Sequence, residues 1–366
     1  MFDNRKRLLT LLLLAAFILS FFTLSISSSD SIRTSARSAA LYEPETKKFV
    51  YEKNSRERLG MASTTKIMTA LIALENLSPN EPVEVDKRAV GIEGSSVYLA
   101  EGEIMTAVDL VYSLLLQSAN DAAAALAYRI AGTIEDFAHL MNEKAREMGL
   151  YDTNFTNPHG LDGKEHYTTA RDLAVLSAEA LSNTDFLNIA STRTKKIQTN
   201  LKDRTLVNHN KMLASYKGCI GVKTGYTKKC GRCLVSAAER DGLRLVSVTI
   251  NAPDDWRDHT KMLDYGYSTL EARYLCAPFD YSFNLPVLNT KEKVLVTNTE
   301  GLKIICKKSD RKVTEKIELS RYFTPPISKG DKLGSVVFTI GGKTVGRVDL
   351  VAENGIKTQK RKNFKI

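Results

Sequence analysis

Three short strings in this chain bring together the residue types of a serine acyl-transfer site whose base is an amine. Ser63-Thr64-Thr65-Lys66 sets a hydroxyl three residues before a lysine, Ser118-Ala119-Asn120 adds a second hydroxyl and a carboxamide, and Lys223-Thr224-Gly225 adds a second lysine. A serine hydroxyl is a poor nucleophile until a base stands beside it. A lysine serves once burial and a second cation disfavour its ammonium form. Ser63 and Lys66 are spaced to share one face at the start of a helix, whose N-terminus adds positive character, and Lys223 is the candidate second cation. Ser118 can relay a proton between Lys66 and a leaving amine. Asn120 can hold Lys66 and a substrate amide, because a carboxamide both donates and accepts. Lys223 and Thr224 suit a terminal carboxylate, and Gly225 lets a substrate approach the backbone. The backbone N–H groups of Ser63 and Tyr226 form the natural oxyanion-hole pair.

Taken singly, each string has a plainer reading: a serine cap, an asparagine turn, a lysine in a loop. Chance copies do occur, since Ser309-Asp310-Arg311-Lys312 repeats the first spacing and Ser282-Phe283-Asn284 the second. Order and local context separate the real set from the copies. Ser63 opens a run with Ile67, Met68, Leu71, Ile72 and Leu74, too apolar all round for a surface helix and so expected in the domain centre. Thr106-x-x-Asp109 predicts a capped helix to about Leu116. Ser118-Ala119-Asn120 breaks it, and a new helix runs from Asp121 to about Ile130. Thr133 caps a further helix that stops at Gly149.

Strands are expected at both ends of this region. Ser38 to Tyr42 and Phe49 to Lys53 read as a hairpin, and Cys233 to Glu239 pairs with Leu245 to Asn251 around Arg240-Asp241-Gly242. A helix follows from about Asp255 to Leu270. Strands flanking helices imply an α/β (α+β) domain with helices packed on an antiparallel sheet. Beyond Arg273 the pattern shifts to short β-rich runs, Lys293–Thr297, Lys303–Cys306, Ser335–Ile340 and Val345–Val351, separated by turn residues. This is a small all-β domain without a catalytic set. The domain reading is therefore a leader over 1–29, a peptidase domain over 30–272, a β-rich domain over 273–352 and a basic tail over 353–366.

The leader reading rests on Arg5-Lys6-Arg7, an apolar run from Leu8 to about Leu24, and a small polar exit from Ser25 to Ser29. An uncleaved signal anchor is the alternative; either way the chain is exported to the outer face of the membrane or the cell-wall space. The net charge is +10, and loss of Asp3, Arg5, Lys6 and Arg7 leaves +8. That surplus suits an anionic wall or membrane surface. No recognition motif supports nucleic acid as a partner. The tail, with Lys357, Lys360, Arg361, Lys362 and Lys365, reads as solvated, with a weak membrane-surface contact as the sharper alternative. The five cysteines cannot all pair within one chain. Cys230 and Cys233 form a lone C-x-x-C with too few companions for zinc, so no metal or cofactor is expected. Cys233 reads as a buried strand residue, and Cys219 and Cys230 bracket the third string.

The three strings, with Glu93-Gly94-Ser95-Ser96, Asn157-Pro158-His159-Gly160-Leu161, His166-Tyr167-Thr168-Thr169-Ala170-Arg171-Asp172 and Pro326-Ile327-Ser328-Lys329-Gly330-Asp331, resemble the serine-type D-alanyl-D-alanine carboxypeptidases. These are low-molecular-mass penicillin-binding proteins, peptidase family S11. The resemblance implies a penicillin-binding/β-lactamase-like fold and an acyl-enzyme at Ser63. It implies release of the terminal D-alanine from peptidoglycan stem peptides, with β-lactam antibiotics as covalent inhibitors. Members often end in an amphipathic anchor helix, where this chain shows only a short basic tail. A class A β-lactamase would add a glutamate in an E-x-x-L-N segment between the second and third strings. None occurs, so a long-lived penicillin adduct is expected. A non-catalytic wall-binding protein on the same fold is the remaining alternative, and intact Ser63, Lys66, Ser118 and Lys223 argue against it. The five histidines read as structural or surface residues, with His159 the one worth watching.

Overall fold

The structure is a computed structural model that describes residues 32–358. The expected leader over residues 1–29 and the last part of the tail, 359–366, lie outside the described residues.

Strands β1 (Ser38–Glu43) and β2 (Lys48–Lys53) make the expected hairpin. The Glu43 carboxylate closes its turn by accepting from the backbone N of Glu45 at 2.7 Å and of Thr46 at 2.8 Å. A 3-10 turn (Ala62–Thr65) leads into α1 (Lys66–Asn76), whose residues Lys66 to Ala73 are all buried. The all-round apolar pattern thus marks a central helix. Next come β3 (Pro82–Glu84), β4 (Ile104–Thr106), α2 (Ala107–Leu116), α3 (Asn120–Ala131) and α4 (Ile134–Glu147). Thr106 and Thr133 cap α2 and α4 as predicted, each accepting from the backbone N–H three residues on.

Helices α5 (Ala170–Ala180) and α6 (Thr184–Ser191) precede the hairpin of β5 (Thr194–Gln198) and β6 (Asp203–Val207) and the short α7 (Met212–Ser215). This hairpin carries no strand signal in its residue pattern, because it buries little beyond Ile197 and Leu206. Strands β7 (Cys219–Thr227), β8 (Gly231–Arg240) and β9 (Leu243–Ile250) follow, then α8 (Asp255–Thr269). The central sheet has the order β2-β1-β9-β8-β7, so the first and last strands of the region pair as expected, with Ala40 opposite Val248. Helices α5 and α8 both pack on β1 and β9. Strand β9 is buried at nearly every position, the signature of a strand covered on both faces.

Strands β10 (Leu270–Cys276), β11 (Ser282–Pro286), β12 (Lys293–Thr297), β13 (Leu302–Lys307), β14 (Thr314–Leu319), β15 (Lys332–Ile340) and β16 (Lys343–Ala352) complete the chain. Five of them form a sheet in the order β11-β12-β16-β15-β14, and β10 pairs with β13. Val294, Val296, Val336, Phe338, Val348 and Leu350 fill a core of their own.

Two boundaries differ from expectation at the first two strings. The α-helix opens at Lys66, and Ser63 lies in the preceding 3-10 turn. The side chains of Thr64 and Thr65 cause this, bonding back to the carbonyls of Met61 at 2.6 Å and Ala62 at 2.8 Å. The helix after the second string opens at Asn120, one residue early, and the Asn120 N–H, which has no acceptor within the helix, is satisfied by Ser95 O at 2.7 Å.

Candidate active site

The 3-10 turn places Ser63 directly beside Lys66, since residues three apart eclipse in that geometry. Lys66 Nζ donates to Ser63 Oγ at 3.0 Å, to Asn120 Oδ1 at 2.6 Å and to the backbone carbonyl of His159 at 2.5 Å. Those contacts use every proton an ammonium carries. Lys66 is 0% exposed. Burial pushes its pKa well below the ordinary lysine range, the charge of Lys223 pushes the same way, and Asp121 pulls back upward.

The second string joins α2 to α3. Its middle is buried, and Ser118 takes a left-handed φ of +60° that turns the chain between the helices. Asn120 accepts from Lys66 and donates from Nδ2 to Glu93 O at 2.5 Å. Asp121, also buried, accepts from Ser96 Oγ at 2.6 Å and from the backbone N of Leu99 at 3.0 Å and of Ala122 at 2.9 Å. The loop over 93–99 is thereby bound to α3 along its length. Ser118 is not one of the three partners of Lys66.

The third string lies on β7, which is an edge strand and runs beside the Ser63 turn. Lys223 is 1% exposed and donates to Thr224 O at 2.8 Å. Burial lowers its pKa to about 7. Thr224 is half-buried, and the Tyr226 side chain is exposed. A Cβ on Gly225 would stand 3.0 Å from Ser63 N and 3.2 Å from Thr64 N. The missing side chain therefore makes room for the Ser63 turn itself, in addition to any substrate.

A sequence family described as D-alanyl-D-alanine carboxypeptidase matches residues 25–254. The chain belongs to this family. The C-terminal domain of penicillin-binding protein 5 matches residues 282–358. The chain is 34% identical to D-alanyl-D-alanine carboxypeptidase DacF of Bacillus subtilis, over 96% of this chain and 95% of that protein. It is 29% identical to D-alanyl-D-alanine carboxypeptidase DacC of Escherichia coli, over 94% and 90% respectively. Among solved structures, penicillin-binding protein 5 of Haemophilus influenzae superposes with a TM-score of 0.68 at 26% identity, covering 89% of this chain and 99% of that one. The fold class, the α+β domain followed by an all-β one, is that of these structures.

Two histidines of this carboxypeptidase bear on the site in ways the sequence did not reveal. His159 contributes through its backbone carbonyl, on which Lys66 rests. Burial, then the neighbouring Lys66 charge, lowers its imidazole pKa to about 3, so the ring is neutral. His166 is buried behind the turn. Its Nδ1 accepts from Thr156 N at 3.0 Å, which leaves the proton on Nε2 to be donated to Thr65 Oγ1 at 2.8 Å. The nearby string Asn157-Pro158-His159 was the available signal, but a backbone role leaves no trace in residue type.

Cys230 acquires a structural position as well. Its thiol donates to Asp162 Oδ1 at 3.1 Å, and Thr227 Oγ1 donates to the same oxygen at 3.0 Å. The end of β7 is thus tied to the loop that carries His159. Among the described residues the cysteines are free thiols and no cluster of side chains suits a metal ion.

Proposed function

We propose that this carboxypeptidase removes the terminal D-alanine of peptidoglycan stem peptides with Ser63 as nucleophile, Lys66 as base and Ser118 as proton relay. The observation that carries the reading is the wholly buried Lys66 Nζ, 3.0 Å from Ser63 Oγ and with a depressed pKa. A neutral Lys66 takes the proton of Ser63 Oγ as that oxygen bonds to the carbonyl carbon of the penultimate D-alanine. The oxyanion lies between the N–H groups of Ser63 and Tyr226, across the narrow gap that Gly225 permits. Lys66 then returns the proton, through the Ser118 hydroxyl, to the departing amine of D-alanine as the peptide bond breaks. Water completes the cycle by cleaving the ester, its proton restoring Ser63 Oγ.

Lys223 and Thr224 are read as the carboxylate site. An incoming carboxylate favours the charged form of Lys223, which burial alone holds near a pKa of about 7. Asn120 fixes Lys66 and keeps one amide proton for the substrate. β-Lactams acylate the same serine, and the lack of the E-x-x-L-N glutamate leaves the adduct without a dedicated water activator. The positive net charge supports action at an anionic wall or membrane surface outside the cytoplasm.

Trapping with a labelled penicillin, followed by a D-alanine release assay, tests the reading. Ser63→Ala should lose both the label and the release. Turnover retained in that variant sinks the mechanism, and fast penicillin hydrolysis by the unaltered enzyme favours a β-lactamase.

A further inference from the structure

Asn54, Asp241, Asn251 and Asn289 take positive φ values that asparagine and aspartate tolerate. Three residues of other types take them at the candidate site: Ala62 at +47°, directly before Ser63, Ser118 at +60°, and Tyr98 at +56°. Backbone strain of this kind persists only where the surroundings over-determine it, and it gathers where geometry serves a function. Ala62 belongs to the Ser63 turn and Ser118 to the second string, both already described. Tyr98 does not.

Tyr98 is held from both sides. Its N–H donates to Ser96 Oγ at 2.9 Å, and Ser96 Oγ donates on to Asp121. Its carbonyl accepts from Lys202 Nζ at 2.8 Å and Arg204 Nη2 at 3.2 Å. Arg204 is itself anchored by a two-pronged buried ion pair with Glu103. The neighbours Val97 and Leu99 are buried, yet Tyr98 is 77% exposed. Its ring therefore gains almost nothing from packing. Glycine or asparagine would carry this φ at lower cost. What tyrosine adds at this position is the ring, presented to solvent by the loop whose Glu93 and Ser95 carbonyls bond Asn120. Phe279 also combines a positive φ of +67° with exposure, but it lies in the C-terminal β-rich region and has no link to Ser63.

We propose that Tyr98 is a specificity-determining residue, an aromatic face on the Asn120 rim of the cleft that contacts the part of the stem peptide N-terminal to D-Ala-D-Ala. This rests on the Ser63 reading. With the terminal carboxylate at Lys223 and the scissile carbonyl at Ser63, the rest of the peptide must leave the cleft over a rim, and the Asn120 rim carries this ring. Its flat apolar face with a hydroxyl edge suits aliphatic side chains and amide planes.

The test compares two reactions at Ser63 in the full chain. One is kcat/KM for release of D-alanine from a stem pentapeptide. The other is acylation by 6-aminopenicillanic acid, which carries nothing N-terminal to its D-Ala-D-Ala mimic, measured by competition with a fluorescent penicillin. Tyr98→Gly should lower the pentapeptide value about tenfold relative to the acylation rate, the scale of a lost aromatic contact, with Tm held or raised because the strain is relieved. Tyr98→Phe should restore most of the loss. An unchanged ratio overturns the proposal, and so does an equal fall in both reactions with a lower Tm, which would make the ring a loop anchor. Failure of the Ser63 reading is seen separately, as an unaltered enzyme that takes no penicillin label.

Discussion

His166 Nε2 donates to Thr65 Oγ1 at 2.8 Å, and that hydroxyl donates on to the carbonyl of Ala62 at 2.8 Å, so a buried imidazole braces the turn that presents Ser63. His166→Ala leaves Thr156 N and Thr65 Oγ1 short of a partner. A buried polar group without a partner costs about 1–3 kcal/mol. The variant should unfold at lower urea concentration and acylate more slowly. Equal Tm and equal acylation would show that the brace does not matter.

The same histidine makes stability depend on pH in a defined direction. Burial first, then the charge of Lys66, lowers the His166 pKa to about 4 against Asp162, which raises it; the unfolded chain titrates near 6.5. Its neutral form is favoured by folding, so the contribution is full above about 6.5 and is lost as pH falls through about 4. His259, buried against Thr249 on β9, has its pKa lowered by burial to about 3 and acts in the same sense. Urea midpoints should therefore fall steadily between about pH 6.5 and 4, and the fall should be smaller in His166→Gln. A flat profile in that window would contradict both assignments.

How far the sequence reached can be judged residue by residue. Ser63, Lys66, Asn120 and Lys223 were legible because the chemistry proposed for them lies in their side chains, and residue type with spacing records side chains. The carbonyls of His159 and Glu93 were not legible, since any residue supplies one and only the path of the chain puts it in place. The hairpin of β5 and β6 escaped because each strand buries a single apolar side chain, Ile197 or Leu206, too few to make an apolar pattern. The reason for Gly225 was read as room for a substrate, while the structure shows that the Ser63 turn already occupies part of that room. Tyr98 was quoted by none of the strings, as its role depends on a φ that no residue pattern announces.

Gly225→Ala follows from that packing. The new methyl would stand 3.0 Å from Ser63 N, 3.2 Å from Thr64 N and 3.3 Å from Ala62 Cβ. Backbone on both sides must give way, which moves β7 from the turn and widens the gap between the Ser63 and Tyr226 N–H groups. A misplacement near 1 Å costs about a hundredfold in rate. Penicillin acylation should fall on that scale while circular dichroism stays that of the parent. Acylation within a factor of two would separate Gly225 from the geometry of the oxyanion.

Lys223 should show a trade between stability and activity. Burial lowers its pKa to about 7 from an ordinary lysine value near 10.5, so the folded state disfavours its charge. That penalty is present below about pH 7 and fades as pH rises toward 10.5, where the unfolded lysine is also neutral. Lys223→Met, similar in length and uncharged, should raise Tm near neutral pH, by an amount on the order of 2–4 kcal/mol in stability. The gain should shrink above pH 10. Carboxylate substrates should lose at least about a hundredfold in kcat/KM, as expected for a truncated charge pair. A variant both less stable and still active would refute the assignment.

Asp121 and Lys223 act on Lys66 with opposite sign, which gives the electrostatic reading its sharpest test. The Lys223 charge lowers the Lys66 pKa and Asp121 raises it, on top of the larger effect of burial. With Lys66 as the proposed base, acylation requires its neutral form, so the rate is expected to rise with pH through that pKa. Removing the Lys223 charge, as in Lys223→Met, should move the rising limb of penicillin acylation to higher pH. Asp121→Asn should move it to lower pH. The asparagine should also cost about 1–3 kcal/mol of stability, because its amide group would face the donors Ser96 Oγ and Leu99 N that the carboxylate now accepts from. Stopped-flow acylation across pH in both variants measures the two shifts. Shifts of the same sign would mean that Lys66 does not set the rising limb, and the base would have to be sought elsewhere.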